Sequence, residues 1–136
     1  MSDYTVKIAL IASIIMMGYN ISEFVASYKA VSEKASQFLQ MAKDSAATDF
    51  ELRRSNFLLT AGLSTVYCVL IFFSGVVSWL VVLLVAKLLL SIFISDWSLV
   101  NVCHDRAISR KSYLVSKFDA LFNALMGLAF ALILVL

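Results

Sequence analysis

A single charged residue interrupts the longest apolar stretch of the chain. Residues 55–95 contain Lys87 and no other Asp, Glu, Lys or Arg. At ~1.5 Å per residue this stretch would form a helix of roughly 60 Å, whereas the hydrocarbon core of a membrane is ~30 Å thick. The stretch must therefore fold back on itself as two spans, with Lys87 near the middle of the second. A lysine at that depth costs about 2.5–3.5 kcal/mol on insertion scales, so we expect it to have a partner or a function.

The composition agrees with a membrane environment. Of the 136 residues, 62% are hydrophobic and 15% are charged, whereas soluble domains carry about 25% charged residues. The sequence therefore predicts an all-α integral membrane protein with one membrane domain over residues 1–136. It contains no metal-ligand spacing, phosphate-binding loop or nucleophile elbow, so we expect no metal, no cofactor and no enzymatic activity.

Hydrophobic stretches predict a bundle of four spans, at about residues 6–28, 57–73, 79–95 and 118–136. Residues 74–78, which include Gly75, form the turn-like break in the long apolar run, and Trp79 beside it suits a membrane interface. Asp96 and Trp97 mark the other end of the third span. In the fourth span, Ser116 and Asp119 have the spacing of a loose capping box and are predicted to start the helix.

The segment between the first two spans has helical periodicity and a turn signal. We expect the first span to continue as a helix, to bend at residues 44–47, and to be followed by a helix that starts at Thr48. Thr48 and Glu51 have the spacing of a capping box. Residues 29–55 are therefore predicted to form a cytoplasmic helical hairpin, and residues 96–117 a second cytoplasmic segment that is helical in part.

Basic residues predict the orientation. Nine of the eleven Lys and Arg residues lie in the two segments at residues 29–54 and 106–117. Basic residues close to span ends mark the cytoplasmic side, so the N-terminus, the turn at residues 74–78 and the C-terminus are predicted to be extracytoplasmic. This pattern suits a bacterial inner membrane. The basic residues lack the interleaved aromatic side chains of a nucleic-acid surface, so nucleic acid is not an expected partner.

Each span carries one stripe of small or polar residues at helical spacing. Representative positions are Asn20, Ser64, Ser91 and Asn123. Such stripes usually face other helices, because small residues permit close approach and polar side chains form hydrogen bonds across the interface. The alternative is that the stripes line a polar path through one copy or through an oligomer.

Lys87 and Glu23 are the predicted intramembrane charge pair. In one interpretation this ion pair sets how the first and third spans pack. In a second interpretation it takes part in ion or proton movement, and in a third Lys87 extends to the cytoplasmic face without a partner. Asp96 and Asp119 are alternative partners, although both are predicted to lie at the interface.

The remaining candidate site residues are basic. They are expected to contact lipid head groups or a partner protein, and they are Arg53, Arg54, Arg106, Arg110 and Lys111.

Two function classes follow from these features. The first is a small polytopic protein that acts by protein–protein interaction in the membrane, as an accessory subunit, a regulator, or an immunity or exclusion factor. The second is a homo-oligomeric ion channel or pore, with the polar stripes and Lys87 along its path. The expected partners are the lipid bilayer and either another membrane protein or copies of the same chain.

Overall fold

Five helices and no strand make up the part of the chain that the computed structural model describes, residues 3–105 and 107–136. The helices are α1 (Asp3–Val25), α2 (Tyr28–Asp44), α3 (Asp49–Phe73), α4 (Ser78–Asp105) and α5 (Arg110–Val135). All of them except α2 are long and apolar enough to cross a membrane. The predicted fold class, an all-α integral membrane protein with four spanning helices, is therefore confirmed.

The four long helices form a bundle in which packed neighbours run antiparallel. α1 packs most extensively on α5, and α3 packs on α4; contacts between α1 and α3 and between α4 and α5 join these two pairs. One end of the bundle, where α3 and α5 begin, is called the basic end, because it carries most of the Lys and Arg residues. The opposite end, which contains the turn between α3 and α4, is called the turn end.

The hydrophobic core lies in the half of the bundle nearest the turn end. Ile71 and Leu84 are fully buried there, with Ala9, Tyr67, Leu88 and Phe130 around them. Most other large apolar side chains of the four long helices are exposed. A soluble protein would bury such side chains. Their exposure suits a protein that is surrounded by lipid, since lipid tails are as apolar as leucine.

Gly127 marks a very close approach of α1 and α5. A Cβ atom at this position would lie 3.0 Å from the carbonyl oxygen of Ser13 and 3.2 Å from the backbone nitrogen of Met17. Ala120, Ala124 and Ala131 extend the same buried face of α5. The small residues of this stripe thus bring two backbones together, as expected for helix packing in a membrane.

The predicted bends and the start of α3 are confirmed. The side chain of Thr48 accepts a hydrogen bond from the Glu51 backbone N–H at 3.1 Å and caps the first turn of α3. Ala46 in the preceding bend has a φ of 54°, and Gly75 in the turn between α3 and α4 has a φ of 85°. Glycine adopts such a conformation without a steric penalty, which explains why the long apolar run folds back at Gly75.

The first span was predicted to continue as one unbroken helix, and this prediction is wrong. α1 ends at Val25, and Ser27 begins α2 by accepting a hydrogen bond from the Ala30 backbone N–H at 3.1 Å. Serine favours this role because its hydroxyl replaces a missing intrahelical acceptor. α2 then packs on α5.

The predicted start of the last span is also wrong. α5 begins at Arg110, and Ser109 caps it by accepting a hydrogen bond from the Ser112 backbone N–H at 3.1 Å. Ser116 and Asp119 therefore lie inside the helix. α4 is likewise longer than the predicted span, since it continues to Asp105.

Replacing Gly127 by alanine tests the close packing of α1 on α5. The added methyl group would press on the backbone of Ser13 and Met17, and we expect it to lower the free energy of unfolding in bicelles by about 1–3 kcal/mol. Gly62→Ala is the matched control, because a Cβ at Gly62 has no neighbour within 4 Å. That variant should be neutral or slightly stabilising, since alanine is the better helix former. Equal effects of the two substitutions would contradict the close packing.

Candidate functional site

Lys87 and Asp119 reach the same depth in the bundle from opposite directions. Lys87 lies nine residues from Ser78 and nine from Asp96, or ~14 Å from each along α4. Asp119 lies nine residues beyond Arg110 in α5, again ~14 Å from the start of the helix. Because α5 begins earlier than the sequence predicts, Asp119 is carried from the interface into the membrane-spanning part of the bundle.

The Lys87 ammonium group donates to three oxygen atoms. These are Oδ1 of Asp119 at 2.6 Å, Oγ of Ser91 at 2.8 Å and Oδ1 of Asn123 at 2.9 Å. A lysine side chain has three N–H donors, so each donor has an acceptor. We call Lys87, Ser91, Asp119 and Asn123 the Lys87 cluster.

The Asp119 carboxylate also accepts hydrogen bonds from all three other members of the cluster. Its Oδ1 atom also accepts from the Ser91 hydroxyl at 3.0 Å, and its Oδ2 atom accepts from the Asn123 amide at 3.3 Å. Asn123 therefore binds both charges, since its oxygen accepts from Lys87 and its nitrogen donates to Asp119. The spacing of four residues on each helix, 87 with 91 and 119 with 123, aligns the two halves of the cluster.

The electrostatic effect of the cluster is to cancel the only two charges at this depth of α4 and α5. The Lys87 and Asp119 side chains retain 22% and 13% of their accessible surface, so water or lipid reaches only part of each. An isolated charge in such a place is costly, whereas a neutral and fully hydrogen-bonded pair is tolerated. The cluster thus joins α4 to α5, and either charge would be unfavourable without the other.

The ion pair predicted between Lys87 and Glu23 is not the one that the structure shows. Among the described residues the ion pairs are Lys87–Asp119 and Arg53–Asp96, and Glu23 is in neither. Asp119 was a named alternative that the sequence placed too close to the interface. The partner is therefore corrected from Glu23 to Asp119, for the physical reason that the Ser109 cap lengthens α5.

Two of the four predicted stripe positions are hydrogen-bonded to each other. Ser91 and Asn123 belong to the Lys87 cluster. Asn20 is buried on α1, where its amide donates to the Met16 backbone oxygen of its own helix at 2.8 Å. Ser64 is half-buried on α3. The structure thus brings two of the four positions together and leaves Asn20 and Ser64 on other helices.

A second polar contact joins α3 to α4 at the basic end. The Arg53 guanidinium donates two hydrogen bonds to Asp96, at 3.1 and 2.9 Å, and the Asn56 amide donates to Ser95 Oγ at 3.0 Å. The Arg53 side chain is half exposed, so this bidentate pair lies at the edge of the bundle. Arg53 was predicted to bind head groups or a partner, whereas the structure gives it an internal acceptor.

Two tyrosines join the α1–α2 junction to the start of α5. The Tyr28 hydroxyl donates to the Ile108 backbone oxygen and the Tyr113 hydroxyl donates to the Ala26 backbone oxygen, each at 2.8 Å. The two rings meet edge to face with centroids 5.4 Å apart. We call this reciprocal arrangement the tyrosine clasp. It provides hydrogen-bond donors for two backbone carbonyl groups that lie between consecutive helices. Sequence reasoning missed Tyr28, although aromatic residues at span ends are a known interfacial signal.

The other predicted basic contacts lie in different surroundings. Arg54 lies over the Phe50 ring, 6.0 Å from its centroid, and Arg110 lies over the Tyr28 ring at 5.2 Å. Lys111 is exposed near the start of α5. Arg106 lies outside the described residues. The predicted contact residues that are described therefore differ in their immediate neighbours.

Comparison with protein-family models, curated proteins and solved structures finds no match for this chain. Within residues 3–105 and 107–136, no group of three or more His, Cys, Asp and Glu side chains is placed to hold a metal ion. The functional conclusion therefore rests on the Lys87 cluster and on the surfaces around it.

A double-mutant cycle tests the Lys87 cluster. We expect Lys87→Met to lower the free energy of unfolding in bicelles by about 3 kcal/mol, because it leaves the Asp119 carboxylate without a cation inside the bundle. Adding Asp119→Asn should restore most of that loss, since the remaining side chains are uncharged. The coupling energy is read from the two single variants and the double variant.

The Arg53–Asp96 pair provides the matched cycle. Arg53→Met and Asp96→Asn remove a bidentate pair that is partly exposed, at 50% and 30% of the side-chain surface. We expect a coupling energy below about 1 kcal/mol there. Strictly additive effects of Lys87→Met and Asp119→Asn would contradict the cluster.

Proposed function

We propose that this chain acts by binding another integral membrane protein, as an accessory subunit, a regulator, or an immunity or exclusion factor. One observation carries the proposal: the three N–H donors of Lys87 are all used by Asp119, Ser91 and Asn123. A lysine that served a conducting path would have to offer its charge to passing ions. Here the charge is neutralised by the neighbouring helix, which favours a structural role in a rigid bundle.

The segment between the first two spanning helices supports an interaction role. Met41 and Phe50 are each 70% exposed, and Phe38 is 36% exposed, on either side of the bend between α2 and α3. A cleft of about 670 Å³ lies at the same bend and is lined by residues of both helices, including Leu39 and Leu52. Exposed apolar side chains beside a cleft suit a protein partner. We propose that this bend is the docking region.

We propose in addition that the basic end faces the cytoplasm of a bacterial inner membrane. Lys and Arg residues concentrate at this end of the bundle, in agreement with the positive-inside rule. In that orientation α2 and the bend are cytoplasmic, and the termini and the turn end are extracytoplasmic. The docking region would then meet the cytoplasmic side of its partner.

Photo-cross-linking in intact cells tests the docking region. We expect a photoreactive residue at Met41 or Phe50 to form a cross-link to one specific membrane protein, and we expect Leu39→Asp, which alters the cleft, to abolish both the cross-link and co-purification of that protein. A photoreactive residue at Val82, which is 66% exposed on a spanning helix, is the control. Cross-links from Met41 only to copies of this chain would contradict a foreign partner.

Conductance tests the alternative of a homo-oligomeric ion channel. We expect the purified protein, reconstituted in planar bilayers, to show no steady current. A current that Lys87→Met/Asp119→Asn changes in ion selectivity, while the bundle remains folded, would overturn the structural role and support the channel. The double variant is used because the single variant Lys87→Met is expected to destabilise the bundle by itself.

A further inference from the structure

A shallow apolar groove lies at the contact between α4 and α5. Phe93, Ile94 and Trp97 of α4 line one wall, and Val115 and Lys111 of α5 line the other. The groove has a volume of about 360 Å³. The side chains that line it are apolar or aromatic, except for Lys111, which contributes mainly the carbon chain of its side chain.

The hydrogen bonds between α4 and α5 give the depth of each wall residue. Asn101 lies opposite Ser112, Ser91 lies opposite Asp119, and Lys87 contacts Asn123. In this antiparallel register Trp97 and Val115 are level with each other. Phe93 and Ile94 lie about one turn further into the membrane, and Lys111 lies about one turn nearer the basic end. The groove is thus apolar along its depth, and Lys111 stands at its shallow end.

Lys111 differs from the neighbouring cations in what surrounds it. Arg110 packs over the Tyr28 ring, and Lys117 packs over two aromatic rings and donates to the Tyr113 hydroxyl. Lys111 has no acidic partner among the described residues. Its charge is therefore available to an anion at the mouth of the groove.

We propose that this groove binds one anionic phospholipid. One acyl chain lies against Phe93, Ile94, Trp97 and Val115, and the head-group phosphate pairs with Lys111. The charge complementarity and the depth order match a phospholipid, in which an anionic group lies at the interface and an apolar chain extends inward. The proposal rests on the membrane placement of α4 and α5, and it does not depend on the identity of a protein partner.

Tryptophan fluorescence in lipid vesicles gives a direct test, because the chain has two tryptophans, Trp79 and Trp97. Trp79→Phe leaves Trp97 as the sole tryptophan, at the wall of the groove, and excitation at the red edge of the absorption band avoids the tyrosines. The variant is reconstituted in phosphatidylcholine vesicles that contain a small fraction of dibrominated phosphatidylglycerol, or the same fraction of dibrominated phosphatidylcholine. Bromine on an acyl chain in the groove quenches Trp97. We expect phosphatidylglycerol to be enriched roughly fivefold, the factor that one lysine near an anionic group supplies.

Two variants separate a site from general attraction of anionic lipid. Lys111→Gln should make the two brominated lipids quench equally, whereas Lys34→Gln, with the same change of charge on α2, should leave the enrichment unchanged. In Trp97→Phe, the remaining Trp79 lies at the turn end and should show no preference.

Four results would overturn the proposal. The first is equal quenching by both lipids in Trp79→Phe, and the second is an enrichment that persists in Lys111→Gln. The third is the same preference at Trp79, which would indicate a general lipid effect. The fourth is an absence of quenching by either lipid, which would show that a second copy or another protein covers the groove.

Discussion

The architecture depends on how one ammonium group is accommodated well inside a spanning helix. Lys87 is far enough from both ends of α4 that water cannot solvate it fully, so the neighbouring helix must supply its acceptors. Asp119 and Asn123 do this from α5, and Ser91 completes the set from α4. Because hydrogen bonds are directional, the requirement fixes the register of α4 on α5 as well as their association. Association between membrane helices has little hydrophobic driving force, so a specific polar contact has a large influence on which faces meet.

The other contacts of the bundle are consistent with that register and form layers along it. Near the turn end, apolar side chains around Ile71 and Leu84 fill the interior. At the same level, Gly127 lets α5 approach α1 closely, and a 2.7 Å hydrogen bond between Ser13 and Tyr67 joins α1 to α3. At the basic end the Arg53–Asp96 pair and the tyrosine clasp hold the helix ends. Specific contacts thus hold the bundle together near both of its ends and, at the Lys87 cluster, between them.

The sequence was sufficient to predict the four spans, the turn at Gly75 and the cap at Thr48, because each depends on local composition or on one short motif. It was also sufficient to identify the two polar stripes that contain Lys87 and Asn123. It was not sufficient to predict that these stripes meet, since the depth of Asp119 depends on where α5 begins. The Ser109 cap lacks the Glu or Gln three residues on that makes a capping box recognisable, so Ser116 was chosen instead. The tyrosine clasp was missed because each hydroxyl binds a backbone oxygen more than 75 residues distant in the chain, at separations of 80 and 87.

The most direct test of the Lys87 cluster is a solid-state NMR measurement on the protein in lipid bilayers. Lysine labelled with ¹⁵N at Nζ and aspartate labelled with ¹³C at Cγ would report which carboxylate lies beside Lys87, with assignment by Asp119→Asn. We expect a strong dipolar coupling between Lys87 and Asp119, as the 2.6 Å distance between Nζ and Oδ1 requires, and its loss in Asp119→Asn. A lysine signal at Lys87 without a coupled carboxylate, or one coupled to a different aspartate, would contradict the account.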